Sequence, residues 1–362
     1  MINMGGFMRP NIFKFATSEL SQDALICYVL DYYNDVFKDK YPLENKFARY
    51  IINKILEKIE IKNFEINSLE IKKQFMAIDI LLILNDKIYI IIEDKTFTSE
   101  RENQMNGYRE KIIKYYQVKE ENVYCIYYKT GDESYKNISL IQEGKNIRTF
   151  LREEIIEIFD KYEGSNIIFQ DYLLNLKAIQ NKKESFKSKD LRKDTFTWNE
   201  VIGFYNELDK AFVKLKSEGI MPKDIEFNWQ YTANQKGGFM CYYFENVLNF
   251  DNYGYYLQLE SNSIPKKTIQ ENLKFVFKVW SDNKDISLLY KGLDILIENY
   301  GDTIVKPSRF ARGTWMTQAI IKDYLVINEI GVIDVHKTAI NIVNWLGSLR
   351  FLKSKLFDIS RD

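Results

Sequence analysis

Residues 78–95 read IDILLILNDKIYIIIEDK, two apolar runs that meet at Asn85-Asp86. Short isoleucine-rich runs broken by turn formers predict the two strands of a β-hairpin. Asp79 opens the first run, and Glu93 and Lys95 end the second. Residues that face each other across an antiparallel hairpin share one index sum. A three-residue connection, Asn85-Asp86-Lys87, sets Asp79 opposite Glu93, Leu81 opposite Ile91 and Ile83 opposite Tyr89. A strict two-residue Asn-Asp turn would instead put the two acids on opposite faces. In the first register their Cβ atoms lie about 4.5–5.5 Å apart. Lys95, two residues beyond Glu93, shares its face.

That juxtaposition has a chemical consequence. Two close carboxylates repel, and one takes up a proton unless a cation intervenes. A hard divalent cation resolves the conflict; Mg²⁺ is the expected occupant, with Mn²⁺ as a substitute. An acid ending an otherwise apolar strand is costly without such a role. A lysine beside them can orient a water and offset phosphate charge. The set suits phosphodiester hydrolysis. Glu19, at the start of the first helix, either adds a third carboxylate or is an acid favoured by the helix dipole. Gln104 lies on the helix after Lys95, with Glu100 and Tyr108 one turn away on the same face. It either orients the site or is an ordinary surface residue. Tyr108 reads as core, and Asp94, pointing away from Glu93, receives no role.

Composition removes the rival chemistries. Of 362 residues one is histidine, His336, so serine triads and multi-histidine metal sites are excluded unless they route through it. His336 itself reads as structural. The three cysteines, Cys27, Cys125 and Cys241, are far apart and read as small buried hydrophobes in a reducing compartment. No GxxxxGK and no GxGxxG occurs. Basic and acidic residues balance at 51 each, so any attraction to nucleic acid must come from a local patch. No apolar run approaches the roughly 20 residues that span a bilayer, and the start, MINMGGFMRP, lacks a secretory apolar core. The expectation is a cytoplasmic protein without membrane partners.

Around the hairpin, residues 12 to about 60 read as helices. Ser18 or Ser21 caps the first, and the second covers Asn45 to Ile59. Residues 98–116 return to helical spacing, 122–128 read as a strand, 137–141 as a short one, and 149–180 as two helices. The lysine-rich stretch 181–195 reads as a solvated basic linker. Beyond it, Trp198–Glu218 predicts a helix. Strand-like runs IEFNWQY, FMCYYFENV, YYLQLES and LKFVFKVW follow, with a Gly237-Gly238 turn, and two or three helices close the chain. The expected domains are 1–180, the linker 181–195, and 196–362.

At these residues the sequence resembles the PD-(D/E)XK nuclease superfamily, over roughly residues 11–180. The matching pieces are NIFKFATSELSQDALICYVLDY, AIDILLIL, IIIEDK and ENQMNGY. Ile78 stands where the name-giving proline would be. The resemblance implies an α+β fold, a mixed sheet flanked by helices, carrying a second α+β domain. It implies Asp79 and Glu93 as metal ligands, Lys95 as the catalytic lysine, and Glu19 and Gln104 as the helix glutamate and the glutamine of many members. It further implies Mg²⁺-dependent hydrolysis of nucleic acid, chiefly DNA. The start of the chain resembles a bacterial group of which some members are tied to phage defence.

In the second half, KPSRFARGTW (306–315) sets Lys306, Arg309 and Arg312 beside Trp315. Basic residues interleaved with an aromatic can grip a phosphate backbone and stack a base; the alternative is a solvated loop with a half-buried tryptophan. The C-terminal domain is expected to recognise substrate or a partner, with a second copy or another protein left open. The rival for the whole chain is a catalytically silent regulator that keeps the nuclease fold to bind nucleic acid or protein.

Overall fold

A computed structural model describes residues 9–96, 98–101, 103–233, 238–245, 247–262 and 266–358. Contacts divide it into two units. One holds residues up to Glu133 with Asn137–Asn181; the other holds Ser134–Lys136 with residues from Lys182 onward.

The first unit is built on a mixed sheet in the order β1 (Leu69–Phe75), β2 (Ile78–Leu84), β3 (Ile88–Lys95), β4 (Val123–Lys129), β5 (Ile147–Leu151). The β1–β2 and β2–β3 pairs are antiparallel, and β3–β4 and β4–β5 are parallel. The hairpin register is the expected one: Leu81 pairs with Ile91 and Ile83 with Tyr89. The turn works because Asn85 and Asp86 take positive φ, 53° and 52°, which such side chains tolerate better than most. The Lys87 N–H then closes onto the Leu84 carbonyl at 2.9 Å. Helices α1 (Glu19–Asp31), α2 (Pro42–Lys58), α5 (Arg152–Phe159) and α6 (Ile167–Glu184) supply one apolar layer, against Ile80, Leu82, Ile90 and Ile92. Helices α3 (Gln104–Tyr116) and α4 (Tyr135–Gln142) supply another, against Leu81, Ile83, Tyr89 and Ile91. Strands covered on both faces are apolar at every position rather than alternating, which explains the unbroken runs of β2 and β3.

Three expectations are corrected. Residues 137–141 are helical, within α4, whose buried Ile138 and Ile141 are spaced for one helix face. Residues 147–151 form strand β5, so the helical region expected from 149 begins at Arg152. Helix α3 begins at Gln104 rather than near 98, so Glu100 precedes the helix; its Oε1 accepts the Met105 N–H at 3.1 Å.

The second unit is an antiparallel sheet in the order β11 (Ile304–Val305), β12 (Trp315–Ile321), β10 (Leu273–Ser281), β9 (Tyr253–Asn262), β7 (Phe239–Phe244), β6 (Phe227–Thr232), with β8 (Leu248–Asn249) beside β9. Helices α7 (Trp198–Ser217), α9 (Ser287–Tyr300), α10 (Val335–Phe351) and α11 (Lys353–Asp358) share its core; α8 (Ile269–Asn272) leads into β10. A capping box of Thr197 and Glu200 starts α7. The closing region is not purely helical, because β11 and β12 precede α10. The basic stretch after 181 is also not simply solvated. It continues α6 to Glu184 and forms a 3-10 turn at Ser185–Ser188, and Phe186 and Leu191 are buried in the second core. Of the Gly237-Gly238 turn, Gly237 lies outside the described residues; Gly238 has φ 86°. His336 is exposed in the first turn of α10, Cys27 is half-buried, and the other two cysteines are buried. No helix among the described residues is long and apolar enough to cross a membrane.

Asp209 of α7 is buried and accepts from Tyr242 Oη (2.8 Å), Trp229 Nε1 (3.0 Å) and the Tyr135 N–H (2.8 Å). Burial outweighs these donors and pushes its pKa up to about 6 from 3.8. The folded state therefore holds this proton more tightly than the unfolded chain. Stability should fall as pH rises from about 4 to 6, by about 2–3 kcal/mol from this group, and stay level above. Asp209→Asn should remove that part of the slope in urea titrations at pH 4, 5, 6 and 7; an unchanged slope would refute the assignment.

Candidate active site

Strand β3 delivers three consecutive polar residues at its C-terminal end, and alternation sorts them. Glu93 and Lys95 face α3; Asp94 faces α1 and α6. Glu93 is 1% exposed. Its Oε1 accepts from Lys95 Nζ at 2.5 Å and from Gln104 Nε2 at 2.7 Å. Its Oε2 is buried without a partner among the described residues. Asp79, across the hairpin, is close enough for its charge to act on Glu93. Asp79 Oδ2 also accepts the Asp94 backbone N–H at 3.0 Å, and Oδ1 accepts from Gln74 Nε2 at 3.3 Å. Burial first, then the Asp79 charge, pushes the Glu93 carboxyl up to about 7 against the pull of Lys95. Burial alone would lower the Lys95 ammonium, but Glu93, Glu19 and Asp79 together hold it above its ordinary value.

Glu19 follows the N-cap Ser18, which accepts the Ser21 N–H. Glu19 Oε1 accepts from the Thr96 N–H (3.1 Å) and Thr98 Oγ1 (3.0 Å), and Oε2 lies 3.9 Å from Lys95 Nζ. This glutamate thus reaches the site across the chain, a contact that the helix dipole alone would not create. Gln104 bridges Glu93 and the Tyr108 hydroxyl, each at 2.7 Å. The Tyr108 ring meanwhile packs on the α3-side core. All five expected site residues of this unit therefore converge. Lys306, Arg309, Arg312 and Trp315 lie in the second unit, in the loop before β12 and at its first residue. Trp315 is 69% exposed, and Lys306 lies over the Tyr290 and Phe310 rings.

Several residues went unread. Asp23, one turn after Glu19, is buried; Gln74 Nε2 donates to its Oδ2 at 3.1 Å while Oδ1 has no partner among the described residues. Burial, then Asp79, pushes its pKa up to about 6. Its position four residues after Glu19 was the available signal. Asp94 is fully buried, accepts from Gln22 Nε2, and burial pushes it up to about 9. Gln22 in turn accepts from Tyr172 Oη at 3.2 Å. Asp94 is therefore neutral at pH 7, and Asp94→Asn should change stability by under about 1 kcal/mol. Asp94→Ala should cost roughly 2–3 kcal/mol, because Gln22 loses its acceptor and a void opens. Equal losses in thermal melts of the two variants would contradict this.

Among the described residues no three His, Cys, Asp or Glu side chains form a ready metal cluster. The donor set nonetheless fits one kind of ion. Glu93 Oε2 has no hydrogen-bond partner among the described residues, Asp79 stands across the hairpin from it, and both are hard oxygen donors. Mg²⁺ keeps several waters and needs only one or two carboxylates.

The chain belongs to the PD-(D/E)XK nuclease superfamily, whose model matches residues 10–201. No curated protein and no solved structure matches it. The matched span contains the mixed sheet, its flanking helices and all five residues that converge around Glu93.

Proposed function

We propose that the protein is a metal-dependent nuclease that hydrolyses phosphodiester bonds, with DNA as its substrate and a role in phage defence. The observation that carries the reading is Glu93: a buried carboxylate with one oxygen clamped by Lys95 and Gln104, and the other without a partner among the described residues, across the hairpin from Asp79. Asp79 and Glu93 would hold Mg²⁺, which when bound would polarise the phosphate and make a water more acidic. The chain's own residues supply the rest. Lys95 places a fixed positive charge where the phosphorane's negative charge develops. Gln104 holds Glu93 in one rotamer, its amide anchored on Tyr108. Glu19 fixes the backbone just beyond Lys95 through the Thr96 N–H and adds negative charge that keeps Lys95 protonated. The phage-defence role rests only on the resemblance of the first helix region.

The test is cleavage of plasmid, linear duplex, single-stranded DNA and RNA with Mg²⁺, Mn²⁺ or EDTA, using wild type and Asp79→Ala. Metal-dependent cutting of DNA that disappears in the variant supports the reading. Cutting that survives in the variant or in EDTA overturns it. The rival reading, a silent regulator that keeps the nuclease fold, predicts no cutting under any condition.

A further inference from the structure

The second unit's sheet packs one face against its helices, and grooves run over the other, where Val276, Cys241 and Gln258 line the floor and are buried. Alternation assigns Leu273, Phe275, Phe277 and Val279 of β10 to the core. It assigns Lys274, Val276, Lys278 and Trp280 to the opposite face. On neighbouring β9 that face carries Tyr256, Gln258 and Glu260, and on β7 it carries Phe239, Cys241 and Tyr243. Two adjoining grooves run over it, of about 720 and 790 Å³, with Phe239, Lys278 and Trp315 lining both.

The grooves differ from an ordinary solvated sheet in charge and aromatic content. Lys266, Lys274, Lys278 and Arg309 line the larger one, against the single acid Glu260. Lys278 is nearly buried, spanning Glu260 (3.0 Å) and Thr317 Oγ1 (3.0 Å). Lys266, Lys274 and Arg309 make no ion pair among the described residues. In a chain whose charges balance overall, this is a local excess of three positive charges. Trp315 stands at the junction of the grooves and is 69% exposed, so a flat ring can stack on its indole. Trp280 and Tyr256 add further rings along the smaller groove.

We propose that this face binds single-stranded nucleic acid, with phosphates along Lys266, Lys274 and Arg309 and a base stacked on Trp315. The cations require a polyanion. The indole selects the single strand, because in a duplex each base face is already covered by its neighbours, whereas an unpaired base offers a free π-face. The site spans the sheet rather than the 306–315 loop alone: Lys306 is held over aromatic rings, and the open cations lie on β10, before α8 and at Arg309. The proposal deepens the nuclease reading by naming the form of nucleic acid recognised, yet it rests on the second unit only.

The test is fluorescence anisotropy of full-length protein in EDTA, which separates binding from cleavage. The probes are 20-nucleotide oligo-dT, oligo-rA, a 20-base-pair duplex and ADP. Either single strand should bind at least tenfold more tightly than the duplex, with a log–log salt slope of about −2 from roughly three phosphate contacts. Trp315→Ala should weaken single-strand binding roughly tenfold or more, Trp315→Phe much less, and Lys274→Ala/Arg309→Ala should flatten the salt slope. Trp315 is surface-exposed, so these variants should keep the wild-type melting temperature. Equal or tighter duplex binding, ADP competing as well as the oligomers, or unchanged affinity in a folded Trp315→Ala would overturn the proposal. Binding is read in EDTA and cleavage with metal, so loss of cleavage there and loss of binding here are independent results.

Discussion

Lys95→Ala is expected to lower phosphodiester cleavage by about a thousandfold or more while leaving nucleic-acid affinity within a few fold. Two losses combine. The positive charge opposite the developing phosphate charge disappears, and removal of one such group costs about 10²–10³ in rate. Glu93 also loses the partner 2.5 Å from its Oε1, and its carboxyl, already pushed up to about 7 by burial and Asp79, rises further. A protonated Glu93 is a poor cation ligand. That same proton protects the fold. Removing one partner of a buried ion pair ordinarily costs about 3–5 kcal/mol because a charge is stranded. Here Glu93 can neutralise itself near pH 7, so the stability loss should be smaller. Single-turnover cleavage and thermal melts on the same preparations test both halves. A variant that retains a tenth of wild-type activity would remove Lys95 from the chemistry.

Gly131→Ala should be the most damaging small substitution near the site. Gly131 follows β4, and a Cβ there would lie 1.6 Å from the Thr96 carbonyl oxygen and 2.8 Å from its carbon. Both are backbone atoms, so no side-chain rotation can relieve the clash. The neighbouring Thr130 N–H donates to the Lys95 carbonyl at 3.2 Å, which ties this segment to the end of β3. Thr96 must move, and its N–H is the donor that holds Glu19. Overpacking of this kind costs roughly 3 kcal/mol, about 6–12 °C in melting temperature for a unit of this size. Cleavage should fall at least tenfold as Glu19 and Lys95 lose their relative placement. A melting temperature within 2 °C of wild type, roughly 1 kcal/mol or less, would mean that the loop yields more easily than its backbone contacts imply.

The hairpin was legible because its register follows from one index sum, and a one-residue slip would have turned every side chain to the wrong face. Asp79, Glu93 and Lys95 were legible for the same reason: local alternation placed them. Gln104 was reachable because it opens the next helix. Glu19 required long-range packing, since only the docking of α1 against β3 brings it to Lys95. Spacing places Asp23 on the face of Glu19, but the character of Asp23, Gln74 and the neutral Asp94 comes from burial, which the sequence does not display. Desolvation, which no spacing reveals, makes Asp94 a neutral group and raises the Asp23 carboxyl. Strand β5 and helix α4 are hard to tell apart in the sequence because both are short, although the three-residue spacing of Ile138 and Ile141 fits a helix face and not a strand face. Gly131 carries no sequence signal of its importance; its φ is ordinary and only the approach of Thr96 demands glycine.

Catalysis at this site requires that Asp79 and Glu93 hold a divalent cation. Calorimetric titration of the full-length protein with Mn²⁺ at pH 7.5 measures this directly. One saturable site is expected in wild type that is lost in both Asp79→Ala and Glu93→Gln, with Asp94→Asn binding as wild type does. Titration curves that are flat for wild type, or the same for wild type and Asp79→Ala, would contradict it.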